Sequence, residues 1–141
     1  MRLEKVFGTM LFTVFFLCLH FWLRSWALAV DSPEALCNAG GPFGVPLERS
    51  LLVVAGLLIG IFLIREWRKE DALLGAWPWV FILAGGAGNL LERVFFGCIM
   101  DYIALPPFPV FNAADILLTL GAAGFLLRWR KNVNDKKKNS I

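Results

Sequence analysis

This 141-residue sequence contains two aspartates, Asp101 and Asp115, whose side chains are suited to acid–base chemistry. Two carboxylates that share a site cannot both ionise cheaply, so one can act as a base towards water and the other as an acid towards a carbonyl oxygen. Each aspartate also has a simple structural explanation. Asp101 lies in a loop, where a solvated carboxylate needs no partner. Asp115 follows Asn112 by three residues, a pair that could cap a helix.

Further polar residues gather near the ends of apolar stretches. They are His20 and Arg24 after the first stretch, Asn89, Glu92 and Arg93 after the third, and Asn112 and Asp115 at the start of the fourth. Taken singly, His20 would be a packed neutral histidine, and Arg93 would extend to the lipid head groups. Polar side chains at membrane depth are costly, so a cluster of them indicates function. We therefore expect one shared polar pocket near one membrane face.

The elements that must position these residues are four apolar stretches. The sequence is 58% hydrophobic with a mean hydropathy of +0.66, which is too apolar for a soluble domain of this length. A hydrocarbon core about 30 Å thick requires roughly 20 apolar residues per helix. The candidate spans are Val6–Leu23, Leu51–Ile64, Ala72–Leu91 and Val110–Leu127. The second is too short to span unless its flanks join the helix.

The distribution of lysine and arginine predicts the orientation, because cytoplasmic loops retain these residues. One side holds Arg2, Lys5, Arg65, Arg68, Lys69 and the basic run from Arg128 to Lys138, whereas the other holds Arg24, Arg49 and Arg93. Both termini are therefore expected in the cytoplasm, with the polar pocket near the outer face. The net charge of +3 comes largely from the C-terminal run, which we expect to face anionic lipid. The sequence shows no basic groove interleaved with aromatic residues, so it predicts no nucleic-acid partner.

The two outer segments, Val30–Ser50 and Val94–Pro109, are expected to form a small extracytoplasmic cap. The first is rich in proline and glycine, so it cannot be one long helix and has room for short strands and turns. The second ends in Leu105–Pro109, whose prolines stop any helix before the fourth stretch. The predicted fold class is an all-α membrane protein of four transmembrane helices with this cap.

We expect one domain, residues 1–132, followed by a basic tail, residues 133–141, that is too polar to fold. At the N-terminus, Ala27–Ala29 looks like the cleavage site of a secretory signal. The apolar core before it is too long and is followed by Arg24, so a retained span is favoured. The cysteines Cys18, Cys37 and Cys98 lack metal-ligand spacing. Cys37 and Cys98 share the outer side and could form a disulfide, but packing as small apolar residues is favoured.

Four motifs in order along the chain resemble those of the lipoprotein signal peptidases (signal peptidase II). Asn38–Gly44 resembles the family's N-x-G-A-A-F-G segment, and Gly88–Arg93 resembles G-N-L-x-D-R. Met100–Ile103 stands where the family has V-D-F-I, and Phe111–Asp115 matches F-N-x-A-D, with Gly121 at the expected later position. The chain departs from the family elsewhere. His20 and Arg24 occupy positions of its D-x-x-[S/T]-K pattern, and Glu92 replaces an aspartate.

The resemblance implies an aspartic endopeptidase that removes signal peptides from diacylglyceryl-modified prolipoproteins at the bond before the lipidated cysteine. Asp101 and Asp115 would be the catalytic pair, attacking through water, with no metal or organic cofactor. Supporting or substrate-binding roles would fall to Asn38, Gly40, Asn89, Glu92, Arg93, Asn112, His20 and Arg24. The implied partners are prolipoprotein substrates, membrane lipid and globomycin-type inhibitors.

Two alternatives remain at this point. One is a non-catalytic homologue that binds lipidated proteins, which the exchanges at His20, Arg24 and Glu92 make conceivable. The other is an unrelated four-span transporter or assembly subunit whose polar residues line a pore. Retention of both aspartates argues against the first, and the clustering of polar residues at one face argues against a conduit.

Overall fold

The structure is a computed structural model that describes residues 3–41, 45–69 and 76–138. Within these ranges the chain forms four helices and two short strands: α1 (Leu3–Ala29), β1 (Leu36–Asn38), α2 (Arg49–Lys69), α3 (Trp77–Phe96), β2 (Ile99–Asp101) and α4 (Ala113–Lys138). Part of the first motif, residues 42–44, and the predicted start of the third stretch, residues 72–75, lie outside the described residues. The fold is mostly helical, as predicted.

Three helices of the described chain, α1, α2 and α3, are long and apolar enough to cross a membrane. In α4, an aspartate in the first turn and basic residues from Arg128 onward limit the apolar stretch. The structure therefore supports a multi-span helical membrane protein with three clear candidate spans. The fourth span stays a prediction.

Helix α3 is the centre of the bundle and packs against α1, α2 and α4. One third of its apolar window, 33%, is buried, compared with 6% in α2. Glycines permit the close contact between α3 and α4. A Cβ at Gly85 would lie 2.5 Å from the Ala114 carbonyl oxygen, and one at Gly121 would lie 2.5 Å from Ile82 Cγ1. Such distances exclude any larger residue without movement of a helix.

Helix boundaries differ from the predicted stretches for physical reasons. Helix α1 continues past Leu23 because Arg24 is paired with an acid on α3, and α2 gains the flanks that its short apolar core lacked. Helix α4 begins only at Ala113, where Asn112 caps it. The prediction of a disordered tail is wrong for residues 133–138, which continue α4. Extending an existing helix adds a hydrogen bond per residue, and lysine is a good helix former with a favourable charge at a helix C-terminus.

The cap contains a two-stranded antiparallel sheet, which confirms the expected short strands. Its register pairs Leu36 with Asp101 and Cys37 with Met100. A disulfide joins Cys37 and Cys98, whose Cα atoms are 5.5 Å apart. The expectation that these cysteines pack as small apolar residues is therefore wrong. Strand pairing brings together residues 61 positions apart, a proximity that the cysteine spacing alone did not reveal.

Candidate active site

Asp101 and Asp115 lie at two element ends that meet beside the C-terminal part of α3. Asp101 is the last residue of β2 and is 6% exposed, so it is not the solvated loop residue of the simpler interpretation. Asp115 lies in the first turn of α4 and is half-buried. Asn112 lies between β2 and α4 in the chain, and its side chain connects the two aspartates.

Asn112 and Asp115 form a reciprocal cap at the start of α4. The Asp115 backbone N–H donates to Asn112 Oδ1 at 3.1 Å, and the Asn112 backbone N–H donates to Asp115 Oδ2 at 3.2 Å. This arrangement satisfies amides that a helix start leaves without partners. The capping interpretation of this pair is therefore correct, but capping is only part of what the two residues do.

Every carboxylate oxygen of the two aspartates accepts a hydrogen bond. Asp101 Oδ1 accepts from Asn112 Nδ2 at 2.9 Å, and Asp101 Oδ2 accepts from Asn38 Nδ2 at 3.0 Å. Asp115 Oδ1 accepts from Asn89 Nδ2 at 2.9 Å, in addition to the Asn112 contact at Oδ2. Three asparagines from separate parts of the chain thus fix both carboxylates. Asn112 is completely buried and also contacts Asn89.

The surroundings of Asp101 oppose its ionisation. Burial raises the pKa of the Asp101 carboxyl above its ordinary value, and the nearby charges of Asp115 and Glu92 raise this pKa further. Hydrogen bonds from Asn38 and Asn112 act in the opposite direction, because they stabilise the carboxylate. Burial is the largest of these effects, so Asp101 keeps its proton to a higher pH than a solvated aspartate does.

The first motif approaches the aspartates through Asn38 and Gly40. Asn38 Oδ1 accepts a hydrogen bond from the Gly40 backbone N–H at 3.1 Å, which leaves its amide free to donate to Asp101. The Gly40 carbonyl oxygen accepts from an Arg93 guanidinium nitrogen at 3.0 Å. Arg93 thereby ties the cap segment to α3 near the two aspartates.

The three residues that depart from the family pattern meet in a second cluster behind β2. His20 Nε2 lies 2.9 Å from Glu92 Oε1, and Arg24 Nε lies 3.2 Å from Glu92 Oε2. His20 and Glu92 have no exposed surface. Glu92 Oε2 also accepts a hydrogen bond from the Met100 backbone N–H at 2.7 Å. Since Met100 precedes Asp101, this cluster connects α1 and α3 to the strand that carries the first aspartate.

The space for His20 depends on Gly88. A Cβ at Gly88 would lie 2.9 Å from His20 Cδ2, so a side chain at this position would displace the imidazole. The Arg24 guanidinium carbon lies 3.9 Å from the centre of the Phe96 ring, a cation–π contact. The structure thus brings together all ten residues that the sequence selected, in two adjoining groups rather than one pocket.

Sequence reasoning missed two residues of this region. The Tyr102 hydroxyl accepts a hydrogen bond from the Ala113 backbone N–H at 3.3 Å, at the first turn of α4. Burial raises the pKa of this hydroxyl. Arg49 donates to the carbonyl oxygens of Arg93 and Val94, both at 2.8 Å, and so caps the end of α3. A signal for Tyr102 was its place next to Asp101, where the family has phenylalanine, whereas nothing in the sequence distinguished Arg49.

Comparison with known proteins identifies the family. Residues 32–130 match the family described as Signal peptidase (SPase) II. A lipoprotein signal peptidase of Pelotomaculum thermopropionicum is 36% identical over 114 residues, covering 74% of this chain and 69% of the relative. A second, from Syntrophomonas wolfei, is 38% identical over 92 residues, covering 64% of this chain and 60% of the relative.

The fold has a counterpart among solved structures. A bacterial membrane enzyme determined by the in meso method at 2.3 Å resolution superposes with a TM-score of 0.80, covering 92% of this chain and 91% of the other. The two are 22% identical, so this likeness concerns the fold alone.

Taken with the helical bundle and its paired carboxylates, these matches define a membrane peptidase. The chain belongs to the signal peptidase II family. It is a multi-pass protein of the bacterial inner membrane. The family match does not favour an unrelated transporter or a non-catalytic binding protein.

Proposed function

We propose that this protein removes signal peptides from diacylglyceryl-modified prolipoproteins, with Asp101 and Asp115 as its catalytic pair. The observation that carries the proposal is the hydrogen bonding of all four carboxylate oxygens by Asn38, Asn89 and Asn112. An aspartate that only caps a helix needs one hydrogen bond to its carboxylate, and an aspartate in a solvated loop needs none. Holding two carboxylates in fixed positions costs conformational entropy. Acid–base catalysis requires such fixed positions.

In the proposed mechanism the pair holds one proton, and the burial of Asp101 supports its assignment to that residue. Asp115 takes a proton from the water that attacks the scissile carbonyl carbon. Asp101 donates its proton to the carbonyl oxygen, giving a tetrahedral intermediate without a covalent bond to the enzyme. Collapse of this intermediate breaks the C–N bond as Asp115 gives its proton to the leaving nitrogen, and Asp101 recovers a proton from one hydroxyl of the intermediate.

The remaining site residues position this pair and the substrate. Asn89 and Asn112 hold the carboxylates from α3 and from the start of α4, and Asn38 holds Asp101 from the cap. Arg93, through Gly40, keeps the cap segment over the site. The proposed substrate crosses beneath this segment, with its acyl chains between helices in contact with lipid.

The second cluster replaces the family's acid and lysine with a different set of charges. In this proposal His20 and Arg24 brace Glu92, and Glu92 holds the backbone amide before Asp101. The cluster therefore fixes the catalytic strand from behind without contacting the substrate. The exchange at Glu92 is matched by those at His20 and Arg24, which supports a divergent active enzyme.

The proposed topology has four spans in one domain, residues 1–132, with both termini in the cytoplasm and the site near the outer face. The disulfide between Cys37 and Cys98 supports this orientation independently of the basic residues. Disulfides persist in oxidising compartments and are rare in the cytosol, so the cap belongs on the outer side. Membrane lipid and globomycin-type inhibitors are the further proposed ligands of the site.

The test is incubation of the purified protein with a diacylglyceryl prolipoprotein, followed by mass analysis of the products. The expected products separate at the bond before the lipidated cysteine. The same precursor without its diacylglyceryl group serves as the matched control and should stay uncut. Absence of cleavage of the lipidated precursor, by protein that is folded in detergent or lipid, would refute the proposal.

A further inference from the structure

The disulfide between Cys37 and Cys98 lies one residue from the hydrogen bond that reaches Asp101 from the cap. Cys37 directly precedes Asn38 in β1, and Cys98 directly precedes β2, which ends at Asp101. The side chain of Asn38 donates to Asp101 at 3.0 Å. A covalent bond thus fixes the two strands next to the contact that links the cap to the catalytic pair.

Strand β1 has little else to hold it. It is three residues long, and its Leu36 side chain is 55% exposed, so apolar burial contributes little to its position. Beyond the strand pairing, the described side-chain hydrogen bonds that tie β1 and the following Gly40 to other elements are the Asn38 bond to Asp101 and the Arg93 bond to Gly40. Segments with few buried contacts open locally at low cost. A cross-link that closes a loop of 61 residues restricts such opening strongly.

We propose that Cys37 and Cys98 are positioning residues whose disulfide holds Asn38 against Asp101, so that full activity requires the oxidised state. This inference rests on the proposed function and adds to it a dependence on thiol chemistry at the outer face. Cys37 is an exposed residue, whereas Cys98 is 7% exposed. The reductant is therefore expected to react at Cys37.

The reducing agent would be a dithiol. Its thiolate attacks the Cys37 sulfur, the disulfide breaks, and Cys98 leaves as a thiolate that takes up a proton. The second thiol of the reagent then attacks the mixed disulfide and releases the Cys37 thiol. The protein gains two electrons and two protons, and the reagent becomes a cyclic disulfide. Reoxidation reverses each step.

Reduction should act on catalysis through Asp101. The charged groups that face Asp101 are Glu92 and Arg93 from α3 and Asp115 from α4, and none of these residues belongs to β1. Asn38 is the contribution of β1, and its hydrogen bond lowers the pKa of Asp101. Release of Asn38 therefore raises this pKa further and moves the pH profile of kcat to higher pH. Loss of the hydrogen bond that orients the Asp101 carboxyl predicts about a tenfold loss of kcat and a shift of roughly one pH unit.

The experiment compares the full-length protein as oxidised, as reduced with a dithiol and as reoxidised, each assayed for kcat against pH on a lipidated precursor. The double variant Cys37→Ser/Cys98→Ser should behave like the reduced protein. Cys18→Ser removes the exposed free cysteine on α1 and should keep the wild-type response to reduction. Asn38→Ala should show the same loss and the same shift, and reduction should change it no further.

Equal profiles in the oxidised and reduced states would overturn the inference while leaving the proposed function intact. The inference would also be overturned if reduction lowered the kcat of Asn38→Ala as much as it lowers that of the wild type. That result would indicate a general loosening of the cap rather than the release of Asn38. If neither redox state cleaves the precursor, the proposed function fails. The inference is then judged by the infrared titration of the Asp101 carboxyl, assigned with Asp101→Asn, whose midpoint must rise on reduction.

Discussion

The backbone N–H of Asp115 donates to the side chain of Asn112, and the backbone N–H of Asn112 donates back to the Asp115 carboxylate. The same Asn112 side chain donates to Asp101 at 2.9 Å. The start of α4 and the link between the two aspartates are therefore built from one side chain. Substitutions can separate these two roles.

Replacing Asp101 or Asp115 by asparagine should abolish cleavage, because asparagine keeps the size of the side chain but cannot take up or release a proton. Because the two groups act as a unit, the double variant should be scarcely worse than either single variant. Mass analysis of the lipidated precursor gives the measurement, and binding of the precursor should persist. Substantial turnover by either purified single variant, at the authentic bond, would remove that aspartate from the mechanism.

Replacing Asn112 by serine should keep the cap of α4 but lower activity. Serine is a good N-cap, so the first turn of α4 keeps its acceptor, whereas the amide that donates to Asp101 is lost. Asn112→Ala removes both functions and should be about 1 kcal/mol less stable than the serine variant, because it also lacks the cap. Thermal unfolding and turnover are measured together for the two variants. If the serine variant is fully active, the contact between Asn112 and Asp101 has no part in catalysis.

The raised pKa of Asp101 predicts how stability depends on pH. The folded state binds the proton of Asp101 more tightly than the unfolded state, so this group's contribution to stability falls as pH rises from about 4 through the folded pKa. The stability of the wild type relative to Asp101→Asn should therefore decline across that interval. Unfolding by denaturant at a series of pH values measures it, with Glu34→Gln, an exposed acid of the cap, as the control. A relative stability that rises with pH would contradict the buried environment of Asp101.

Variants of the second cluster should separate bracing from chemistry. Arg24→Lys and His20→Gln keep a donor near Glu92, so turnover should stay within about tenfold of the wild type, as expected for a supporting contact. His20→Asp restores the family's residue type but places a second carboxylate where the imidazole lies 2.9 Å from Glu92. That variant should lose more activity and stability than His20→Gln. Complete loss in Arg24→Lys, with folding intact, would show a direct chemical role for Arg24.

Protease-sensitive tags inserted into the chain can test its orientation in the membrane. Tags at either terminus or between residues 65 and 71 should be reachable only from the cytoplasm, and a tag near Pro33 only from outside, because lysine and arginine concentrate on the former side. Protease treatment of intact and opened cells makes the comparison. Cleavage of the terminal tags in intact cells would reverse the proposed topology.

The membrane class and the residues of the site could be predicted from the sequence because polar side chains in an apolar chain are few and costly. Asn89, Asn112 and Asp115 stand out in this way, and the motifs selected Asn38 and Asp101. The division into two clusters could not be predicted, because it depends on the packing of α1 against α3. His20 reaches Glu92 through the space that Gly88 leaves, and a glycine in a sequence does not indicate which side chain will occupy that space.

The cap was harder to predict than the helices. Strand β1 has three residues with no alternation of apolar and polar side chains, and its pairing with β2 joins residues that are distant in the chain. The disulfide follows from that pairing and so was equally hidden. For the tail, low hydropathy predicted disorder, but the preceding helix supplies the nucleus that isolated polar residues lack.

Asn112 both caps α4 and contacts Asp101, and this double role affects the stage of synthesis at which the enzyme becomes active. Helix α4 follows α1, α2 and α3 along the described part of the chain, and the mutual hydrogen bonds of Asn112 and Asp115 stabilise its first turn. If Asp101 and Asp115 are the catalytic pair, as proposed, a partly made chain with α1 to α3 already in the bilayer holds Asp101 without its partner. Under the proposed mechanism, activity therefore appears only after α4 has joined the other helices.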